Sequence, residues 1–121
     1  MTDYQTARRV ALRLAALAEP TRLRVLDRLA RGPLHVGGLA DLLDVPMVNL
    51  SHHLGVMRQA GIVDDEKEGR RVVYRIHPDV LGPADGADTV ATLDLGGYKV
   101  RVRKTPTAAP AAAAAGKPKK K

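Results

Sequence analysis

Apolar residues along the chain fall into four stretches with helical spacing, followed by stretches with strand-like alternation. The first covers residues 3–18. Asp3 is placed to cap it, and Val10, Leu14 and Leu17 share one face. Leu12 and the alanines at 7, 11, 15, 16 and 18 widen the apolar surface, and a helix so broadly apolar buries two sides. One side is expected on its own domain and the other on a second copy, which makes Val10, Leu14 and Leu17 candidate dimerisation residues. The second helix starts at Glu19-Pro20-Thr21, with Pro20 suited to the first turn. It turns Leu23, Leu26, Leu29 and Ala30 inward and Arg24, Asp27, Arg28 and Arg31 mostly outward, and it stops at Gly32-Pro33. The third runs from Val36 to Asp44 with Leu39, Leu42 and Leu43 inward, its first turn weakened by Gly37 and Gly38. Val45-Pro46 is a turn, and Pro46 opens a fourth helix that ends near Gly61.

On that fourth helix Leu50, Leu54 and Met57 follow i, i+4, i+7 spacing and face the core. A turn of about 100° per residue then sets Val48, His52 and Gln59 opposite, flanked by Asn49 and Ser51. Ile62–Lys67 and Arg70–His77 read as antiparallel strands around Glu68-Gly69. Val72, Tyr74 and Ile76 alternate inward; Arg71, Val73 and Arg75 point the other way. A polar-faced helix, a glycine stop and a hairpin with two arginines at its tip follow the order of a winged helix-turn-helix. The expected fold is therefore α+β, mainly α: four helices plus a β-wing, with a candidate C-terminal β-hairpin. Residues 1–81 form the expected DNA-binding domain. Residues 82–88 are a Gly/Pro/Asp loop, and Thr89–Leu95 and Tyr98–Lys104 pair around Gly96-Gly97, so that 82–104 is an extension. Tyr98 and Val100 in this hairpin are further dimerisation candidates, replacing a terminal helix in the contact. Residues 105–121, built of Thr, Pro, Ala, Gly and Lys, are expected to be a disordered basic tail.

Composition narrows the picture. Phe, Trp and Cys are absent and Tyr occurs three times, so the core must be aliphatic and disulfides and thiolate metal sites are excluded. A small aliphatic domain gains stability by pairing with itself. The net charge is +7; four of the 20 basic residues lie beyond residue 104 and all 13 acids before it, so the tail carries four of the seven excess positive charges. Such a balance favours a polyanionic partner. No apolar run reaches the length of a membrane span, and Arg8, Arg9 and Arg13 interrupt the N-terminal segment, which argues against a membrane partner or signal peptide and for the cytoplasm. Neither a Ser/His/Asp set, a phosphate loop nor paired carboxylates in a plausible cleft is recognisable, so no enzyme and no cofactor are expected.

The candidate chemistry is recognition of a duplex. Asn49 can pair bidentately with adenine, Ser51 can donate to a base edge or phosphate, and Val48 can touch a thymine methyl. His52 is placed for a base or phosphate, and Arg58 and Gln59, late in the helix, for backbone phosphates. Arg70 and Arg71 fit the negative potential of a minor groove. His52 and His53 diverge by about 100° on a helix, too far to share one metal ion. His53 lies nearer the core, where it packs or caps. Asp64, Asp65, Glu66 and Glu68 oppose a phosphate partner and are expected to face outward or to pair with Lys67 and Arg75. His35 and His77 read as isolated surface histidines, so no metal site is assigned. The lysine tail reads as a non-specific electrostatic anchor.

Leu17-Ala18-Glu19-Pro20-Thr21-Arg22-Leu23-Arg24-Val25-Leu26, Ser51-His52-His53-Leu54, Arg58-Gln59-Ala60-Gly61-Ile62-Val63 and Gly69-Arg70-Arg71-Val72-Val73-Tyr74-Arg75-Ile76 together resemble the ArsR-type family of bacterial winged-helix repressors. The resemblance covers roughly residues 10–80. It implies a homodimer that binds an operator in double-stranded DNA, usually represses, and often releases DNA when a metal or other signal binds. Thiolate sensors of the family carry Cys-Val-Cys at the start of the third helix; here the matching positions are His35-Val36-Gly37. The long terminal helix that commonly completes the family dimer is also replaced, by the loop and the strand-like 89–104. The expected function is sequence-specific transcriptional regulation by a dimeric repressor. The alternatives are a winged-helix module for protein contact and a repressor responding to a metal held without thiolates.

Overall fold

The computed structural model describes residues 3–104; the expectations for the tail at 105–121 lie outside the described residues. Helix α1 (Tyr4–Leu17) begins where Asp3 Oδ1 accepts the Thr6 N–H at 2.8 Å. Helix α2 (Pro20–Leu29) repeats the device, with Glu19 Oε1 accepting the Arg22 N–H at 2.9 Å and Pro20 in the first turn. Both caps satisfy donors that have no partner within the helix. A two-residue strand, β1 (Leu34–His35), leads into α3 (Val36–Leu43). Asp44, at φ 55°, turns the chain through Val45 and Pro46 into α4 (Met47–Gln59).

The exit from α4 is built on Gly61. Its φ of +79° suits glycine, the residue without a Cβ. The Gly61 N–H donates to Arg58 O at 3.0 Å and the Ile62 N–H to Met57 O at 2.9 Å, which closes the last helical turn as a Schellman motif. The chain then enters β2 (Val63–Glu68) and returns as β3 (Arg71–Ile76), so that the wing turns on Gly69-Arg70, one residue later than the sequence pattern predicts. β1 pairs with β3, Leu34 opposite Tyr74 and His35 opposite Val73, giving the order β1-β3-β2. Two residues are too few to show alternation, and β1 is not legible in the sequence.

β4 (Leu81–Gly82), β5 (Thr89–Asp94) and β6 (Lys99–Arg103) form a second antiparallel sheet in the order β4-β5-β6. The expected hairpin turns on Gly96-Gly97, where Asp94 Oδ1 accepts both glycine N–H groups at 2.9 and 3.1 Å and the Leu95 N–H donates to Tyr98 O at 2.8 Å. These bonds to the ionised side chain hold the Asp94 carboxyl below the usual range.

One core unites all of this. Val25, Leu26 and Leu29 of α2, Leu39 and Leu43 of α3, and Leu50, Leu54 and Met57 of α4 belong to the same buried cluster as Leu93 and Leu95 of the second sheet. The hairpin 89–103 thus contributes to the same core as the helices, while 83–88 are exposed. Arg13 of α1 fastens the joint, donating from Nε to Ala60 O at 3.3 Å and from Nη1 to Leu95 O at 3.2 Å. Among the described residues no helix is long and apolar enough to cross a membrane.

This packing corrects several expectations. Val10 and Leu17 are 3% and 4% exposed within a single chain, so neither is free to form a dimer surface. The second sheet covers Val10, whose Cγ2 stands 3.3 Å from where a Cβ on Gly96 would lie. Leu23 and Leu42 face out rather than in, at 51% and 49% exposure, because Val25 and Ala40 take the inward positions. Leu23 instead borders an open groove against β6, beside Val100 and Val102.

Leu93→Ala is expected to lower the stability of the whole chain by about 2–5 kcal/mol in urea unfolding, the range for removing a fully buried leucine side chain. The loss should appear in one transition, followed alike by helical circular dichroism and by the NMR amide signal of Tyr98. An early, separate Tyr98 transition would show that the second sheet does not share the core.

Candidate nucleic-acid interface

The rotation of α4 is fixed by its buried stripe: Leu50, Leu54 and Met57 are each fully excluded from solvent. Val48, Asn49, Ser51, His52, Arg58 and Gln59 are consequently exposed. Val48 is 82% exposed, which is extreme for a branched apolar side chain, and it stands in the first turn beside Asn49. Gly55 lies between the two halves of this face with nothing within 4 Å of its missing Cβ, leaving the helix surface low at its middle. Ser51, His52, Gly55, Val56, Arg58 and Gln59 line a shallow groove there. The face presents donors, acceptors and one apolar contact, the set of groups that reads base edges.

Arg58 has a second role. Its Nη1 bonds Asp65 Oδ2 at 3.2 Å, tying the end of α4 to the wing strand β2. Arg75 takes Glu66 Oε1 at 3.1 Å and Asp64 Oδ2 at 3.5 Å. Three of the four wing acids are thereby paired with arginines. Glu68 stands opposite Arg71 across the hairpin. Arg70 and Arg71 are exposed at the tip, and neither takes part in the ion pairs formed among the described residues.

A polar joint that the sequence pattern does not reveal lies behind the helix. Arg22 donates from Nε to Ala16 O at 2.6 Å, a carbonyl in the last turn of α1 that lacks a helical partner. Its Nη1 stands 3.1 Å from Nδ1 of His53, and Glu19 Oε1 is 3.8 Å from the same nitrogen. The Arg22 N–H, more than any other contact, holds the Glu19 carboxyl below its ordinary range. Helices α1, α2 and α4 meet at these three side chains. Glu19-Pro20-Thr21-Arg22 announces a helix start, but a contact to a residue 31 positions away leaves no local signal.

The other histidines are accounted for locally. The His35 ring lies over the first turn of α3: a Cβ on Gly38 would meet His35 Cε1 at 2.9 Å, so glycine there makes room for the ring. His77 Nδ1 accepts the Asp79 N–H at 3.0 Å. Among the described residues no three His, Asp or Glu side chains gather as a metal site would require.

The remaining dimerisation candidates divide. Leu14 is exposed on α1 together with Leu12 and Tyr4, and Tyr98 is exposed at the tip of the second sheet, whereas Val100 is half-buried against the core. Leu12, Ala15 and Ala16 of α1 line an open apolar groove with Val56, Gln59 and Ala60 at the end of α4.

Comparison with known proteins agrees with this architecture. Residues 17–66 match a family model described as a helix-turn-helix domain. The chain is 44% identical over 73 residues to the biofilm growth-associated repressor of Agrobacterium fabrum, a match covering 60% of this chain and 62% of that protein. It therefore spans less than two thirds of that relative's length. It is 32% identical over 66 residues to the transcriptional repressor SdpR of Bacillus subtilis, covering 54% of this chain and 73% of that one. A solved homodimeric winged helix-turn-helix DNA-binding domain from Mycobacterium bovis, described as a possible ArsR-family transcriptional regulator, superposes with a TM-score of 0.59 at 32% identity, covering 65% of this chain and 75% of the other. With the wing, the helix-turn-helix and these relatives in agreement, the chain belongs to the ArsR-type family of winged helix-turn-helix transcriptional regulators.

Proposed function

We propose that this protein is a sequence-specific DNA-binding repressor that acts as a homodimer in the cytoplasm, by binding rather than by catalysis. The observation that carries the proposal is the pairing of two exposed surfaces: the polar face of α4 and the arginine tip of the wing. A helix of this kind enters a major groove, and the wing reaches the adjacent backbone or minor groove. Val48, Asn49, Ser51 and His52 are assigned to base edges. Gln59, Arg70 and Arg71 are assigned to phosphates and the minor groove. Arg58 is assigned to phosphate with its Asp65 partner, which fixes the guanidinium for the contact while offsetting part of its charge. The repressors among the relatives support the direction of control.

A second copy is assigned to the exposed part of α1 centred on Tyr4, with Leu12 and Leu14 on its two flanks, and to Tyr98 at the edge of the second sheet. The homodimeric Mycobacterium bovis domain supports a two-fold assembly. Two-fold symmetry calls for a pseudo-palindromic operator with half-sites about one helical turn of DNA, or a multiple, apart. Deleting 89–104 does not test this contact, because Leu93 and Leu95 belong to the core; point changes on the exposed residues do. Leu12→Asp with Leu14→Asp should raise the dimer dissociation constant at least tenfold in sedimentation analysis while leaving the melting temperature of the monomer close to that of the parent.

Selection of bound fragments from random DNA is expected to return a symmetric site. On that site, Arg70→Ala with Arg71→Ala should weaken binding and flatten the dependence of log K on log salt by about 0.9 for each phosphate that is no longer neutralised. Asn49→Ala should cost about 1–3 kcal/mol of discrimination at one base pair and leave the salt slope alone. A protein-contact module would instead bind all duplexes weakly and respond to neither substitution.

A further inference from the structure

His53 sits in the middle of α4 with its side chain only 17% exposed, on the flank turned to α2. Its Nδ1 lies 3.1 Å from Arg22 Nη1. A guanidinium has five donors, accepts nothing and does not lose its proton in proteins, so this contact is a hydrogen bond only if Nδ1 is the acceptor. The bond requires a neutral ring with its proton on Nε2, whereas the Glu19 carboxylate, 3.8 Å from the same nitrogen, favours a proton on Nδ1. A ring carrying a proton on Nδ1 would set N–H against N–H. The Arg22 guanidinium is anchored by its Nε on Ala16 O at 2.6 Å. The charged groups facing the ring are Arg22 and Glu19 from α2, with His52 edge-on along α4 at 5.7 Å between ring centroids.

We infer that Arg22 and His53 are positioning residues for DNA binding: Arg22 selects the Nε2-protonated form of His53, and the resulting bond sets the orientation of α4 against the α1–α2 corner. The core stripe of leucines fixes how far α4 is rotated, but apolar packing is non-directional and tolerates sliding along the helix axis. One directional bond from a side chain anchored on two other helices removes that freedom. Asn49 lies one turn before His53 on the same flank, so any slip of α4 is carried directly to a residue assigned to a base edge. The inference rests on the proposed DNA-binding function, and it assigns His53 a role quite different from that of its exposed neighbour His52.

Two measurements on the full chain test it. In the free protein labelled with 15N-histidine, long-range proton–nitrogen spectra at pH 8 should show His53 protonated on Nε2, and Arg22→Met should return the ring to a mixture of both forms. With DNA selected by the parent protein, His53→Leu should lose about tenfold in affinity, as expected for removing a hydrogen bond to a charged group. His53→Asn, whose amide oxygen can stand where Nδ1 stood, should recover most of the loss; His53→Gln, which places its amide near Nε2, should not. Proton occupancy on Nδ1 in the parent would overturn the inference, as would recovery by Gln but not Asn, which would make His53 a direct DNA contact. If the parent selects no DNA at all, the proposed function fails and the positioning role with it, while the spectrum still reports on the Arg22–His53 bond separately.

Discussion

The complete burial of Leu50, Leu54 and Met57 is the constraint from which the rest of the molecule follows. Three side chains spaced i, i+4, i+7 leave a helix one rotational setting, because turning it exposes all three together. That setting pushes Val48, Asn49, Ser51, His52 and Gln59 outward. The helix surface is otherwise poorly separated into polar and apolar halves, with valine exposed at one end and histidine half-buried in the middle. Its orientation therefore comes from the partners packed beneath it, not from a strong preference of its own.

Arginine is used in two distinct ways. Arg13, Arg22 and Arg24 lie flat across the body and donate to main-chain oxygens at Ala60, Leu95, Ala16 and Leu43. Each such bond satisfies a carbonyl near the end of a helix or strand. Arg58 ties Asp65 of the wing to the end of α4, and Arg75 pairs with Asp64 and Glu66 within the wing. Arg70, in the turn, and Arg71, opposite Glu68 in the last cross-strand pair, take no part in the ion pairs formed among the described residues. Net charge alone would have pooled these groups; only the hydrogen bonds separate struts from free cations.

The second sheet is where this chain departs most from what the family resemblance implies. In place of a terminal helix, the β5–β6 hairpin sets its turn against Val10 and Arg13 of α1 and adds Leu93 and Leu95 to the core. Val10 is covered within its own chain as a result. The exposed large apolar side chains that remain on α1 are Tyr4, Leu12 and Leu14, with Tyr98 exposed at the hairpin turn. On the outer strand Lys99, Arg101 and Arg103 alternate with Val100 and Val102, a pattern that discourages another strand from adding at that edge.

The sequence by itself determined the four helices, the wing and the candidate hairpin, because each has a period or a local signal that no distant residue can change. Asp3 and Glu19-Pro20 mark helix starts, Gly61 a helix stop, and Leu50, Leu54 and Met57 the inward face, which is enough to deduce the exposed residues of α4. Only the tertiary structure decided which apolar residues were left over. Val10 and Leu23 look alike along the chain, yet one is buried by a turn 86 residues later and the other faces a groove. The same holds for β1, for the Arg58–Asp65 brace and for the Arg22–His53 joint: each depends on two segments arriving at one place, and spacing along a single segment carries no record of that.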